Sequence, residues 1–215
     1  MEFLDVVYGR RMCRSFDAAP LDRALVDGLL LAAQRAPAAG NTQGWQFLVL
    51  DDTAAVDRYW NATLPESRRA RFPWPGLLRA PVLIVPCADA SAYVRRYGEA
   101  DKAQRVAASD SEKVALAASA EAWTVPYWMV DTAMATMTLL LGAVDAGLGA
   151  CFFGQFEHEP AVRAAFGVPD RFQPIGTVAL GRPDHAGRAS RSARQRPRPP
   201  LEEIAHRGRW GTADR

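Results

Sequence analysis

The architecture of this chain follows from residues 127–146, which read YWMVDTAMATMTLLLGAVDA. This is its longest and most apolar segment, and Gly147 follows as a helix-ending residue. The uncharged run covers residues 132–144, between Asp131 and Asp145, and is shorter than the roughly 18 residues of a membrane-spanning helix. The pattern predicts a helix that is apolar nearly all round, buried partly in the core and partly at a subunit interface rather than in a membrane.

Short apolar segments on both sides of this helix predict the strands of a sheet. Residues 45–50 read WQFLVL, residues 81–86 read PVLIVP, and residues 173–180 read QPIGTVAL. The first two do not alternate between apolar and polar residues, which is typical of strands whose two faces are both buried. Residues 149–153 fit either a strand or an extended loop.

Helical segments separate these strands. They are predicted at residues 2–9, 22–35, 53–60, 88–98, 111–121 and 159–166. Strands that lie this far apart along a chain are joined by crossovers rather than by hairpins. The order of the elements therefore predicts an α+β fold in which helices flank a mixed central sheet.

The length of 215 residues and the apolar content of 49% predict one domain, residues 1–215, with a core of ordinary size. The net charge of +2 gives no support for nucleic-acid binding. The tail is nevertheless basic, because residues 182–215 hold nine arginines and four acidic residues. We expect a C-terminal arm from about residue 185 to residue 215. Its arginines could bind nucleic acid, a membrane surface or one phosphate group, or the arm could be solvated without a ligand.

Several classes of chemistry lack their usual residues. The three cysteines, Cys13, Cys87 and Cys151, include no CxxC pair, so neither a disulfide framework nor a zinc site is expected, and the reducing cytoplasm fits best. The histidines have no metal-ligand spacing, and no GxSxG, GxGxxG or GxxxxGK(S/T) motif occurs. Ligand-type loops without an acid–base set indicate a bound cofactor that carries the chemistry, with no metal.

Residues 10–14 read RRMCR and place three arginines directly after a predicted helix. Guanidinium groups bind phosphate with two hydrogen bonds at once, so Arg10, Arg11 and Arg14 are candidates for a phosphate site. A solvated basic turn is the alternative. Cys13 lies among these arginines, which favour a lowered thiol pKa, but a thiol without a catalytic role is the interpretation we prefer.

Residues 36–45 read APAAGNTQGW and form a loop before the first predicted strand. Its small residues allow a flat ligand to approach the backbone. The amides of Asn41 and Gln43 both donate and accept hydrogen bonds, as the edge of a flavin ring requires. A polar turn that leads into the strand is the alternative.

Two later segments have further ligand-binding features. Residues 147–154 read GLGACFFG, in which two phenylalanines between glycines suit either stacking on a ring system or packing in the core. Residues 194–201 read RQRPRPPL, in which proline restricts the backbone and gives the arginines a defined direction. These arginines could bind the same phosphate group as the arginines of residues 10–14. A disordered basic tail is the alternative.

Taken together and in this order, the four segments resemble the FMN-dependent nitroreductase family over residues 6–210. The family opens with a basic pair, a serine, any residue and a basic residue, and here the pattern is RRMCR. Its loop reads AP(S/A)xxNxQPW, which APAAGNTQGW resembles. The late glycine-aromatic loop and a closing RxRxPLEE pattern are similar as well.

The resemblance implies a nitroreductase-like fold and an intertwined homodimer with two flavin sites at its interface. It assigns the FMN phosphate and ribityl region to Arg10, Arg11, Arg14, Arg196 and Arg198. It assigns the isoalloxazine or the ribityl chain to Asn41 and Gln43, with Pro37, Ala38 and Ala39 lining that edge. It places Phe152, Phe153 and Gly154 along the flavin, with a backbone N–H near the flavin N5.

Two residues depart from the family pattern. Met12 occupies the cofactor-binding position where the family has serine, so a hydroxyl contact to phosphate is lost, and Arg11 or backbone N–H groups are expected to compensate. Gly44 replaces proline and is expected to loosen the loop. Neither change removes a positive charge, so FMN binding is still expected.

The resemblance implies an oxidoreductase that works by a ping-pong cycle. NADH or NADPH passes a hydride to the flavin, and a small flat acceptor such as a nitroaromatic or a quinone is then reduced. Aromatic candidates for the walls of the substrate pocket are Phe72, Trp74, Tyr93, Trp123 and Tyr127. The alternatives are another flavin reaction on the same fold, namely dehalogenation, dehydrogenation or fragmentation of flavin, or a protein that binds flavin or nucleic acid without catalysis.

Overall fold

The computed structural model of the chain describes residues 1–102, 116–184 and 195–211. Its helices are α1 (Phe3–Gly9), α2 (Arg23–Ala33), α3 (Thr53–Thr63), α4 (Glu66–Arg69), α5 (Ala90–Tyr97), α6 (Tyr127–Asp145), α7 (Glu159–Phe166) and α8 (Leu201–Ile204). Its strands are β1 (Trp45–Leu50), β2 (Val82–Asp89), β3 (Gly149–Phe153), β4 (Phe172–Pro174) and β5 (Thr177–Gly181). Short 3₁₀ helices cover Ala39–Asn41, Pro75–Arg79, Ala120–Ala122 and Phe156–His158.

The central sheet has the order β1–β2–β5–β3, and β4 pairs with the distal half of β2. Every pair among the five strands is antiparallel. A single parallel bridge, between Met12 and Ala150, attaches the segment after α1 to β3. The α+β prediction is confirmed, and in the described residues the parallel part of the mixed sheet is limited to this bridge. Residues 149–153, which fitted a strand or a loop, form a strand.

The strand predicted at residues 173–180 is divided in two. Ile175 donates its backbone N–H to the Pro86 carbonyl of β2 at 3.0 Å, but Pro86 has no N–H with which to continue the ladder. Gly176 follows with φ of +147°, and a Cβ at this position would lie 2.7 Å from the Phe152 ring. The residues opposite Pro86 therefore break the strand into β4 and β5.

The sheet separates two hydrophobic cores, and β2 contributes to both. Leu83 and Val85 pack on the α3 side, whereas Val82 and Ile84 pack on the side of α2 and α6. All eight residues of β2 are buried. Burial on both faces explains why this strand does not alternate between apolar and polar residues, as the sequence indicated.

Helix α6 confirms that residues 127–146 form a helix. Leu148 donates its N–H to the Ala143 carbonyl at 2.8 Å, and Gly147 donates to the Val144 carbonyl at 3.0 Å with φ of +69°. These bonds form a Schellman motif, which requires the left-handed conformation that glycine adopts without strain. The helix therefore ends at the residue that the sequence indicated.

Helix α6 packs against α2, β2 and β3. In the described residues it is the one helix long and apolar enough to cross a membrane. Two of its three buried polar residues, Thr132 and Thr136, satisfy their hydroxyl groups by donating to carbonyls one turn earlier in the helix. Packing against three elements identifies α6 as a core helix of this domain.

Aspartate N-caps set the start of three helices. The side chains of Asp22, Asp52 and Asp89 accept backbone N–H bonds from the first turns of α2, α3 and α5.

The helix predicted at residues 111–121 lies largely outside the described residues, and its end is the 3₁₀ helix Ala120–Ala122. Residues 185–194 and 212–215 of the predicted arm also lie outside the described residues.

Candidate functional site

The three arginines of residues 10–14 follow α1, and each has a different environment. Arg11 is exposed and donates to the carbonyls of Tyr8 and Arg10, at the end of α1. The guanidinium of Arg14 lies 5.1 Å from the centroid of the Trp74 ring. Arg10 Nη1 is buried, and no hydrogen-bond partner for it occurs in the described part of the chain. Arg10 is therefore the arginine of this turn with a buried donor that no acceptor of the described residues satisfies.

Met12, which stands where the family has serine, ties the arginine turn to β3. Its sulfur accepts the backbone N–H of Phe152 at 3.4 Å, and Cys13 donates its N–H to the Ala150 carbonyl at 2.9 Å. Met12 therefore positions the backbone of Arg11 and Arg14 through β3, and offers no hydroxyl to a ligand.

The Cys13 thiol is not activated by the neighbouring arginines. Burial raises the pKa of Cys13, and the smaller opposing effects of the Ser15 backbone and Arg14 do not reverse this shift. Burial also raises the pKa of Cys151, and it raises that of Cys87 to about 11. All three thiols therefore stay protonated near neutral pH, which agrees with a structural role for Cys13.

The loop of residues 36–45 has an unusual backbone. Gly40, Asn41 and Gln43 have φ angles of 64°, 55° and 53°, in the left-handed region that only glycine adopts without cost. The Gln43 amide donates to Asn41 Oδ1 at 3.0 Å, and both side chains are exposed. The strained backbone therefore presents two amides at the surface, next to Pro37, Ala38 and Ala39.

Asp131 of α6 holds this loop in place. Its Oδ2 atom accepts the Ala39 N–H at 2.7 Å and the Tyr93 hydroxyl at 2.7 Å, and the residue is 2% exposed. Burial and the bond to Asp131 raise the pKa of Tyr93, so its phenol remains a donor. Arg96 donates to the Gly40 carbonyl at 2.9 Å. The loop is thus anchored to both α5 and α6.

Gly44 is required by the packing of Tyr93. A Cβ on Gly44 would lie 2.6 Å from Cε2 of the Tyr93 ring, closer than side-chain contacts permit. The sequence suggested that this glycine loosens the loop, but the structure shows the opposite, because the missing side chain lets Tyr93 pack directly against the backbone.

The five predicted pocket aromatics occupy two different places. Tyr93, Trp123 and Tyr127 belong to one edge-to-face cluster, in which the Trp123 centroid lies 5.7 Å from that of Tyr93 and 5.9 Å from that of Tyr127. Tyr93 and Trp123 are buried there, behind the anchored loop. Phe72 and Trp74, in contrast, line a cavity beside Arg14.

That cavity has a volume of about 350 Å³ and is mainly aromatic. Inside it the rings of Trp60 and Phe153 are stacked with centroids 5.9 Å apart. Its walls are Arg14, Tyr59, Trp60, Thr63, Leu64, Phe72, Trp74, Leu77, Cys151, Phe152, Phe153, Gly154, Gln155, Phe156 and His158. The structure therefore brings Arg14, Phe152, Phe153 and Gly154, all predicted site residues, to one cavity together with Phe72 and Trp74.

The arginines of the tail lie at the surface. Arg196 and Arg198 are both exposed. The following helix α8 exposes Leu201 and Ile204, and Trp210 is 87% exposed beside the His206 ring.

In the described ranges no three histidine, cysteine or acidic side chains form a group that could hold a metal ion.

Comparison with known proteins gives a consistent result. The sequence model of the nitroreductase family matches residues 7–182. An NADH dehydrogenase of Thermus thermophilus is 30% identical over 204 residues, which are 91% of this chain and 90% of that protein. The 5,6-dimethylbenzimidazole synthase of Rhodospirillum rubrum is 30% identical over 188 residues, which are 81% of this chain and 78% of that enzyme.

Solved structures share the fold. One neighbour, from Exiguobacterium sibiricum, is described as a nitroreductase in complex with FMN. It superposes with a TM-score of 0.70 and 24% identity, over 96% of this chain and 97% of the neighbour.

The role of Asp131 predicts a specific loss on removal of the Tyr93 hydroxyl. We expect Tyr93→Phe to lower the free energy of unfolding by about 2 kcal/mol, because a buried carboxylate loses a hydrogen bond. Tyr97→Phe on the same helix is the matched control and should change it by less than about 0.5 kcal/mol. Urea denaturation measures both variants, and equal effects would contradict the anchoring role.

Proposed function

Because the chain belongs to the nitroreductase family, whose model covers residues 7–182, we propose that it is an NAD(P)H-dependent oxidoreductase with FMN as its cofactor. The name of the Thermus thermophilus relative supports the nicotinamide reductant, and the FMN complex of the Exiguobacterium sibiricum neighbour supports the flavin. The buried and unpartnered Nη1 of Arg10 is the observation in this chain that carries the proposal.

A phosphate group fits Arg10. A buried guanidinium nitrogen without an acceptor costs stability, and a phosphate oxygen supplies a short, charge-assisted hydrogen bond. Arg14 and Arg11 add positive charge within four residues, and Met12 fixes the turn against β3. We therefore assign the FMN phosphate to Arg10, with Arg11 and Arg14 beside it and Met12 in contact through the backbone.

The flavin ring fits against the aromatic cavity next to Arg14, so that the cavity itself stays open to an acceptor. Phe152, Phe153 and Gly154 line this cavity, and Asn41 and Gln43 offer exposed amides for the edge of a ring, with Pro37, Ala38 and Ala39 beside them. Bound FMN would supply the redox chemistry, namely hydride acceptance from NADH or NADPH and reduction of an acceptor. The protein supplies position and charge, and Arg14 is the cation that stabilises negative charge in the cavity.

The cavity favours a small flat acceptor, such as a nitroaromatic or a quinone. Its walls are largely aromatic, with Phe72 and Trp74 at one side, and its volume of about 350 Å³ suits one planar ligand at a time. If the nicotinamide and the acceptor use the same space in turn, the reaction follows a ping-pong cycle.

Free thiols at Cys13, Cys87 and Cys151 fit a location of the protein in the reducing cytoplasm.

A second copy of this chain completes the proposal. Apolar side chains are exposed on α1, α2 and α6, helices that contact one another through α6. The most prominent are Phe3 (69%), Leu4 (58%), Tyr8 (70%), Leu31 (63%) and Met137 (41%). Large exposed apolar patches of this kind mark interfaces. In such a homodimer, Arg196 and Arg198 on an exposed arm are available to the phosphate site of the partner subunit.

Flavin binding through Arg10 is directly testable. We expect the purified protein to bind FMN with an absorption band in the visible range, and Arg10→Gln to weaken binding at least tenfold, because a charge-assisted hydrogen bond is lost. Arg23→Gln, on the exposed surface of α2, is the control and should leave the affinity unchanged. Quenching of flavin fluorescence measures the dissociation constants. A wild-type chain that binds no FMN would refute the proposal.

The reaction itself is tested by anaerobic kinetics. We expect oxidation of NADH or NADPH with a nitroaromatic or a quinone, and parallel lines in double-reciprocal plots, because one site serves both substrates in turn. An FMN-containing protein that oxidises neither nicotinamide in the presence of these acceptors would instead belong with the relatives that carry out other flavin reactions, such as the synthase of Rhodospirillum rubrum.

The dimer is tested at the exposed face of α6. Sedimentation should give a mass of about 47 kDa, twice the 23.5 kDa of one chain. Met137→Glu places a charge on the apolar face and should shift the equilibrium toward monomers, with a parallel loss of bound FMN. Ala54→Glu, at an exposed position of α3, is the control. A wild-type protein that sediments as a monomer would exclude the dimer.

A further inference from the structure

Phe156 is the most exposed aromatic side chain of the aromatic cavity. It lines the cavity and is 82% exposed, whereas the other aromatic residues of the walls are buried or half-buried. Most of the surface of its ring is therefore accessible to a molecule that enters the cavity.

The backbone of Phe156 is held in an uncommon conformation. Its φ angle is +49°, in the left-handed region, which costs free energy for a bulky residue and persists only where neighbouring contacts impose it. The residue before it supplies such contacts. Gln155 is buried and donates from Nε2 to Thr177 Oγ1 at 3.0 Å, and its carbonyl accepts the His158 N–H at 3.0 Å. The turn is thus fixed on both sides of Phe156.

Gly154 supports one side of the Phe156 ring. A Cβ on Gly154 would lie 3.0 Å from Cζ and 3.1 Å from Cε2 of that ring, closer than side chains normally approach. The absence of a side chain at Gly154 therefore lets the ring rest on the backbone, while the remainder of the ring stays exposed.

The other rings of the cavity have less surface to offer a ligand. Trp60 and Phe153 are stacked on each other, with centroids 5.9 Å apart. The Trp74 ring has the Arg14 guanidinium 5.1 Å from its centroid. Among the described residues that line the cavity, Phe156 is therefore the ring with the largest free surface for stacking.

We infer that Phe156 makes the cavity select aromatic acceptors over alicyclic ones of similar size, a specificity that rests on the proposed function. A planar ring that packs on Phe156, offset or edge to face, gains an attraction beyond the burial of apolar surface. A puckered ring gains the burial alone. This preference distinguishes nitroaromatics and quinones from alicyclic compounds that carry the same reducible group, such as a nitrocycloalkane.

The test compares two probes, benzyl alcohol and cyclohexylmethanol, which carry the same hydroxymethyl group on a planar and on a puckered ring. Cyclohexylmethanol has the larger apolar surface, so burial alone favours it. Saturation-transfer NMR titrations of the FMN-loaded protein should nevertheless give a dissociation constant about threefold lower for benzyl alcohol, because of the stacking attraction. The same titrations of flavin-free protein show how much of the preference is independent of the flavin ring.

Three variants isolate the contribution of Phe156. Phe156→Leu keeps an apolar side chain but removes the ring, so it should reduce the preference for benzyl alcohol about twofold in both forms of the protein. With nitrobenzene as acceptor it should raise KM by a similar factor and leave kcat nearly unchanged. Phe156→Tyr keeps the ring and should retain the wild-type values. Phe172→Leu, on β4 and outside the cavity, is the matched control.

Thermal unfolding separates a role in binding from a role in the fold. Phe156→Asn removes the ring and places there a residue that tolerates the left-handed region. It should therefore raise Tm by about 2 °C, or leave it unchanged, while it reduces the preference for benzyl alcohol as Phe156→Leu does. Circular dichroism measures Tm.

Several results would overturn the inference. These are an unchanged ratio of the two dissociation constants in Phe156→Leu, an equal reduction in Phe172→Leu, or a fall of more than about 5 °C in the Tm of Phe156→Asn, which would make the ring part of the core. An effect of Phe156→Leu that occurs only without flavin would mean that FMN covers the ring. Loss of a dimeric mass in Phe156→Leu would assign the ring to the subunit interface.

The probe titrations do not depend on turnover. A chain whose discrimination between the probes depends on Phe156, but which neither binds FMN nor oxidises NAD(P)H, would therefore contradict the proposed function and leave the aromatic preference of the cavity intact.

Discussion

The buried carboxylate of Asp131 joins the core helix α6 to the loop of residues 36–45, which carries the two exposed amides. Asp131 lies in the first turns of α6, and its Oδ2 accepts both the Ala39 N–H and the Tyr93 hydroxyl. A buried carboxylate is tolerated only where donors surround it, so loop, α5 and α6 must adopt one mutual arrangement. Gly44 belongs to the same constraint, because it gives Tyr93 the space to reach Asp131.

The elements that the sequence predicted well are those whose signals are local. The glycine after α6 and the apolar runs of β1 and β2 each act within a few residues, so the pattern alone locates them. The division between β4 and β5 was not predictable in the same way. It depends on Pro86 of a neighbouring strand, some 90 residues earlier in the chain, and on the close approach of Phe152 to Gly176.

The candidate site was predictable as a set of segments but not as an arrangement. Arginine clustering pointed to residues 10–14, yet only packing distinguishes Arg10, whose buried Nη1 lacks an acceptor, from the exposed Arg11, whose Nη1 donates to carbonyls at the end of α1. Tyr93 and Trp123 were predicted as pocket walls for the same reason as Trp74, namely that they are aromatic. In the structure they are buried beneath the loop of residues 36–45 instead. Asp131 and Gln155 gave no sequence signal, because a single polar residue reveals its role only through partners that are distant in sequence.

The departures from ordinary packing in this chain are concentrated around the proposed ligands. In the described residues the non-glycine positions with left-handed backbone are Asn41, Gln43 and Phe156, two in the amide-bearing loop and one at the cavity. Three of the four unpartnered buried atoms, on Arg10, Trp60 and Gln155, lie in the arginine turn and the cavity wall. Strain and unpaired groups reduce stability wherever they occur, and folded chains retain them where a function requires them. Two independent kinds of cost therefore coincide in the segments to which we assign the proposed ligands.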